Sequence, residues 1–297
     1  MNDFAAIGLR IQGEYVRDGT KCQPLRIICS TQLPVQRLIV QIYEVQTPAE
    51  AEYLIDLDVD HIGSVILSQD NWQQSILKET IETIRSSTAK SSLIPLYHHP
   101  ETVLQTLDYY QPDIVHFCEA LVGHARLWDF CNQLIQLQTA VKNQFPQIKV
   151  MRSIPIAQSG NADEVPTLEF AKRFEPASDY FLTDTFLAKA AGSDQNSQPV
   201  QGYVGITGKT CNWKIARKLV EVSRVPVILA GGISPQNAVD GIQQVNPAGV
   251  DSCTQTNALD EKGQPIRFKK DLAKVKQLVK NVRQTERALS HRSDDTA

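Results

Sequence analysis

The sequence predicts a closed parallel (β/α)₈ barrel with an N-terminal extension, because from residue 38 onward eight short apolar runs alternate with eight amphipathic stretches. Two further observations agree. The runs are nearly continuous in apolar residues, as strands covered on both faces are. The 297-residue length also suits a barrel with additions, since such barrels use about 250. A doubly wound open sheet is the competing α/β architecture.

The predicted strands are 38–45, 61–67, 92–97, 114–117, 149–154, 180–183, 227–230 and 249–253, and the predicted helices are 48–56, 72–86, 100–110, 125–145, 164–174, 213–223, 235–245 and 268–283. Thr47-Pro48-Ala49-Glu50 offers the first helix an N-cap, a proline at its first position and a glutamate three residues after the cap. Ser234-Pro235 repeats the cap-then-proline pattern after strand seven. Both lie at βα junctions, where barrel active sites are built. The barrel is expected over 38–283. Residues 1–37 hold two strand-like runs around Arg17-Asp18-Gly19-Thr20, read as a hairpin that covers the barrel bottom or forms a subunit contact, as in a homodimer. Residues 284–297 read as a frayed, flexible tail. The Ser/Gln/Gly-rich stretch 187–202 after strand six is a candidate lid.

Composition narrows the function classes. Apolar residues make up 42% and charged residues 21% of the chain, enough for a large core. A net charge of -3 gives no basic surface for nucleic acid. No run is long and apolar enough for a membrane span, and Met-Asn-Asp-Phe-Ala-Ala lacks the basic start of a signal peptide. A cytoplasmic protein is expected. Its six cysteines form no C-x-x-C pair, so they read as free thiols, with no metal site and no cofactor called for.

Three motifs carry chemistry. In Val225–Ala238, an apolar strand runs into Gly231-Gly232 just before a helix. Glycines there let backbone N–H groups approach an anion, and barrel phosphate sites lie after strands seven and eight. In Phe181-Leu-Thr-Asp-Thr-Phe186, Asp184 follows a strand and points into the barrel mouth, placed to exchange a proton with a sugar oxygen; holding a loop is its plainer role. In Gly205-Ile-Thr-Gly-Lys-Thr-Cys-Asn-Trp213, Gly208-Lys209-Thr210 looks like the end of a nucleotide P-loop, but the pattern needs glycine where Tyr203 stands. A glycine-rich loop with one lysine still suits closure over a phosphorylated ligand.

Together these motifs resemble the phosphoribosylanthranilate isomerase family, a barrel enzyme family of tryptophan biosynthesis. The matching features are Asp184-Thr185, the Gly205–Trp213 loop, Leu229-Ala230-Gly231-Gly232 with Pro235-Gln236-Asn237, Gly249-Val250-Asp251, and Lys270-Asp271 before the last helix. The resemblance is specific over 180–283 and fainter, though in register, from 38. It implies an Amadori-type isomerisation of a phosphorylated small molecule, a phosphoribosylated amine. Asp184 would be the acid, with Gly208, Lys209, Gly231, Gly232, Asp251, Cys253 and Thr254 on the substrate and its phosphate.

The chain also departs from the family. The family's catalytic-base cysteine falls on Tyr43, and the following glycine on Glu44. Its substrate-carboxylate arginine should fall near 68–72, where there is none. Its Ser-Ser-Gly after strand eight is Cys253-Thr254-Gln255, which costs one wall of the cradle its close approach. Arg152 stands at what the resemblance makes an inward position of strand five; it needs a carboxylate or bound anion and is a candidate for anion recognition. For the base, Tyr43 needs a strongly lowered pKa, Glu44 must lie past the strand end to face inward, and His98 and His99 follow strand three on the same face, where a solvated pair is the plainer reading. Two alternatives to the isomerase stay open: a non-catalytic barrel that binds a phosphorylated ligand, and an isomerase of another sugar phosphate.

Overall fold

In the computed structural model the described residues are 37–159, 165–187 and 198–294. The expected hairpin in 1–36 and residues 188–197 of the expected lid lie outside them. Eight parallel strands close into one barrel in chain order: β1 (Ile39–Ile42), β2 (His61–Ile66), β3 (Lys90–Pro95), β4 (Ile114–Phe117), β5 (Lys149–Ala157), β6 (Tyr180–Phe186), β7 (Val227–Leu229) and β8 (Gly249–Ser252). β1 closes on β8 with Gln41 opposite Asp251. The covering helices are α1 (Pro48–Asp56), α2 (Ser75–Arg85), α3 (Pro100–Tyr110), α4 (Leu127–Gln144), α5 (Thr167–Phe174), α6 (Trp213–Val222), α7 (Ala238–Val245) and α8 (Leu272–Asp294). None of the described helices is long and apolar enough to cross a membrane.

Strand alternation divides the apolar side chains into a barrel interior and helix-facing layers. Tyr43, Val65, Ile94, Ile114, Cys118, Met151, Leu182, Ile228 and Ala230 fill the interior. Val40, Ile42, Ile62 and Val250 pack outward with α1, α7 and α8. Gly63 makes room for the Tyr43 ring, because a Cβ at Gly63 would stand 2.8 Å from Tyr43 Cγ and closer still to the ring edge.

Three helix starts depart from the sequence expectation for reasons the structure shows. Thr47 caps α1, its Oγ1 accepting from Glu50 N at 3.3 Å, but Glu50 does not reach back to the cap; its carboxylate accepts from Lys270 N at 2.9 Å. α7 begins at Ala238 instead of 235, because Ser234 N donates to Asn237 Oδ1 (2.8 Å) and Gln236 N to Ser234 Oγ (3.3 Å), closing a turn ahead of the helix. The last helix begins at Leu272, because β10 (Pro265–Lys270) pairs antiparallel with β9 (Asn257–Leu259) in a ribbon the sequence did not announce.

The tail expected at 284–297 is helical as far as Asp294. Side chains at 283 and 286 tie α8 to the barrel bottom. Arg283 donates to Leu38 O at 2.7 Å and pairs with Asp60 at 2.5 Å, and Glu286 accepts from Leu38 N at 2.6 Å.

Candidate active site

A cavity of about 770 Å³, its opening to solvent included, lies at the C-terminal end of the strands. Asp184, Gly231, Gly232, Asp251, Cys253 and Thr254 line the half built by β6–β8, and Val65, Ile94, Leu96 and Cys118 the half built by β2–β4. The chain from Val200 to Gly208 forms its roof. Backbone bonds hold the roof to the end of β4: Ala120 N donates to Gly202 O at 2.8 Å and Val204 N to Cys118 O at 2.9 Å. On the other side Thr185 Oγ1 donates to Lys209 O at 2.6 Å and Gln255 Nε2 to Gly208 O at 2.9 Å. Gln255, expected to cost the cradle a wall, therefore supplies a tether for the loop.

Gly231 and Gly232 both have left-handed backbones, with φ of 84° and 63°. A Cβ on Gly232 would stand 2.6 Å from Lys209 C and 2.8 Å from Thr210 N, so the roof loop closes on the paired glycines only because they lack side chains. The N–H groups of Gly231, Gly232, Ile233 and Thr254 donate to no group among the described residues. Unpaired N–H groups at such a junction suit phosphate oxygens.

Two carboxylates face this cavity. Asp184, at the end of β6, is partly buried, and its Oδ1 accepts from Thr185 N at 2.9 Å. Burial, followed by the charge of Asp251, pushes its carboxyl up to about 7 against that hydrogen bond. Asp251 accepts from Gln41 Nε2 at 3.0 Å. Burial lifts it to about 7 as well, opposed by that bond and by Lys270. With both carboxyls raised to about 7, near neutral pH one member can give a proton while the other takes one.

The residues aligned with the missing base are otherwise engaged. The Tyr43 hydroxyl meets Ser92 Oγ at 2.6 Å and His116 Nδ1 at 2.8 Å, inside the barrel. Burial pushes its phenol well above the ordinary range, the opposite of what a base needs. His116 binds Ser153 Oγ at 2.8 Å through Nε2, and burial, followed by Arg152, lowers it to about 3, so its ring is neutral. Glu44 takes a left-handed backbone (φ 66°), borders the cavity at 1% exposure and pairs with Arg267 at 2.5 Å. Cys118 and Cys253 also border the cavity, with thiols that burial pushes up.

One expectation is corrected. Arg152 does not face the cavity: Met151 and Ser153 point inward on β5, and Arg152 points outward. There it is fully buried, pairs with Glu119 and lies 4.7 Å over the Phe174 ring, so its anion is a carboxylate of this chain. His98 and His99 border a separate groove between Leu67–Asp70 and α4. The Lys209 side chain is exposed and does not line the cavity; its backbone carbonyl accepts from Thr185 Oγ1 next to the roof. The sequence reading missed Gln41, Ser92, His116 and Lys270 as partners of the site. A strict inward count along β1, passing from Gln41 to Tyr43, would have flagged the first. Among the described residues no three His, Cys, Asp or Glu side chains gather as a metal-ligand set.

Comparison with known proteins bears on this geometry. A family model described as N-(5'phosphoribosyl)anthranilate (PRA) isomerase matches residues 133–281, half of the chain. N-(5'-phosphoribosyl)anthranilate isomerase from Methanocella arvoryzae is 31% identical over 146 residues, 49% of this chain and 56% of that protein. The isomerase 2 of Methanosarcina mazei is 34% identical over 147 residues, 47% of this chain and 57% of that one. The chain thus spans little more than half the length of these relatives. Among solved structures, a phosphoribosylanthranilate isomerase from Thermotoga maritima superposes with a TM-score of 0.57 at 18% identity, covering 83% of this chain and 99% of that one.

Proposed function

The chain belongs to the N-(5'-phosphoribosyl)anthranilate isomerase family, and on that premise we propose that it catalyses an Amadori isomerisation of a phosphoribosylated arylamine, the reaction class of the family's name. One observation carries the reading: unpaired N–H groups at Gly231, Gly232, Ile233 and Thr254 share a cavity with Asp184 and Asp251. The phosphate binds to the N–H groups, and Lys209 at the mouth adds positive charge from solvent. The ribosyl group then lies toward the carboxylates.

Asp184 gives its proton to the ring oxygen as the C1'–O4' bond breaks, leaving an open-chain iminium ion. Asp251 takes the proton from C2', and the C–H electron pair forms the C1'=C2' bond as the nitrogen recovers its lone pair. Ketonisation of the resulting enaminol returns a proton to C1'. No atom is gained or lost: C2' and the 2'-hydroxyl each release one proton, and O4' and C1' each take one up. In this role Asp251 replaces the base that Tyr43 and Glu44 do not supply, and the roof over the cavity keeps water from the iminium ion.

Phosphoribosylamines form in situ from ribose 5-phosphate and an arylamine, and NMR follows their conversion to the 1-arylamino-1-deoxyketose. With aniline and anthranilate offered separately, the protein should convert at least one, and Asp184→Asn should lower that rate by about 10²–10⁴. Conversion of neither sinks the reading. Tight binding without conversion would favour a ligand-binding barrel, for which the engagement of Tyr43 and Glu44 is the supporting observation.

A further inference from the structure

The cavity's two halves differ in chemistry. Toward β6–β8 it offers N–H groups and carboxylates. Toward β2–β4, the opposite side of a barrel closed in chain order, it offers Val65, Ile94, Leu96 and the Tyr43 ring, roofed by Val200 and Tyr203. No lysine or arginine among the described residues lines the cavity. The nearby cations are committed elsewhere. Arg267 pairs with Glu44, Lys270 donates to Asn257 Oδ1 at 2.5 Å and Cys253 O at 3.1 Å, and Arg152 points out of the barrel to Glu119.

The polar atoms of Tyr43 and His116 in the apolar half are also occupied. The Tyr43 hydroxyl meets Ser92 and His116, and both His116 nitrogens have partners. An anion placed against this wall would lose its hydration and find no compensating charge. The phosphate is not in that position, because its oxygens meet unpaired N–H groups near the mouth. An apolar ring against the same wall exchanges water for carbon contacts.

We propose that the cavity selects a ribosyl phosphate whose nitrogen carries an uncharged apolar group, such as an unsubstituted aryl ring, and discriminates against one that carries a carboxylate. This rests on the isomerase reading above and names the substrate class of the same site.

The test uses two reduced, unreactive analogues made by reductive amination of ribose 5-phosphate: 1-phenylamino- and 1-(2-carboxyphenylamino)-1-deoxyribitol 5-phosphate. They differ only in the carboxylate. Calorimetric titration of the full chain with each at pH 8 should show the phenyl compound binding at least about tenfold more tightly. A smaller ratio, or the reverse order, overturns the selectivity and leaves the isomerase reading standing. Binding of neither compound overturns both.

Discussion

Replacing Asp184 by asparagine should make the protein more resistant to unfolding as the pH rises, while lowering its activity. Burial, aided by Asp251, lifts the Asp184 carboxyl from 3.8 to about 7. The folded chain therefore holds this proton more tightly than the unfolded chain does. The resulting stability is complete below the unfolded pKa, near pH 4, and is lost as pH rises through about 7. Each pKa unit corresponds to 1.36 kcal/mol, so a shift of about three units sets an upper bound of about 4 kcal/mol. A comparison that starts at pH 5, above the unfolded pKa, reads only part of that shift, and about 2–3 kcal/mol is the expected size for the single substitution. Asparagine keeps the shape and does not titrate. In urea unfolding followed by circular dichroism, the difference between Asp184→Asn and the wild type should move by about that amount in the variant's favour between pH 5 and pH 8.5. In thermal unfolding this corresponds to a relative gain of roughly 4–8 °C. A difference that stays constant across this window, or that moves toward the wild type, would refute the assignment of a buried carboxylate with a raised pKa.

Glu119→Gln leaves Arg152 buried without a counter-charge and should destabilise the fold by about 3–5 kcal/mol in urea unfolding; a loss under about 1 kcal/mol would mean that water or another group reaches the guanidinium. Tyr43→Phe removes a hydroxyl bonded to Ser92 and His116. It should cost about 1–3 kcal/mol of stability and leave turnover within about tenfold of wild type, whereas a loss of 10² or more would make the phenol a proton-transfer group. Gly232→Ala sets a Cβ against the Lys209–Thr210 backbone at a left-handed position. It should cost about 1–3 kcal/mol and weaken calorimetric binding of ribose 5-phosphate at least tenfold, and unchanged affinity would argue against a phosphate cradle there.

Barrel topology was legible in the sequence because buried parallel strands have one composition and their covering helices another. The paired glycines and Asp184 were legible for a similar local reason: each follows a strand whose end points at the mouth. What could not be read depends on contacts between residues far apart in the chain. Glu44 meets Arg267 across 223 positions, and the orientation of Arg152 turns on whether residue 151 or 152 starts the inward count on β5. The extent of α8 was misjudged because residues 284–294 look polar, while Glu286 and Arg283 find partners on residues 38, 58 and 60. The ribbon of β9 and β10 escaped notice because its two strands are short and largely exposed.

The nesting of the Tyr43 ring over Gly63 bears on how freely this part of the barrel can change. The ring fills the space that a side chain at 63 would need, and its hydroxyl is held by Ser92 and His116. Four positions, three on strands and one just past the end of β1, are therefore adapted to one another. Placing cysteine at 43 alone would open a void above Gly63 and strip two polar groups of their partner, a loss on the order of 3 kcal/mol. Substitution at 43 is thus epistatic with positions 63, 92 and 116, and a single change there meets a stability barrier. New chemistry is more accessible at the carboxylates, which border open space and can change without disturbing this nest.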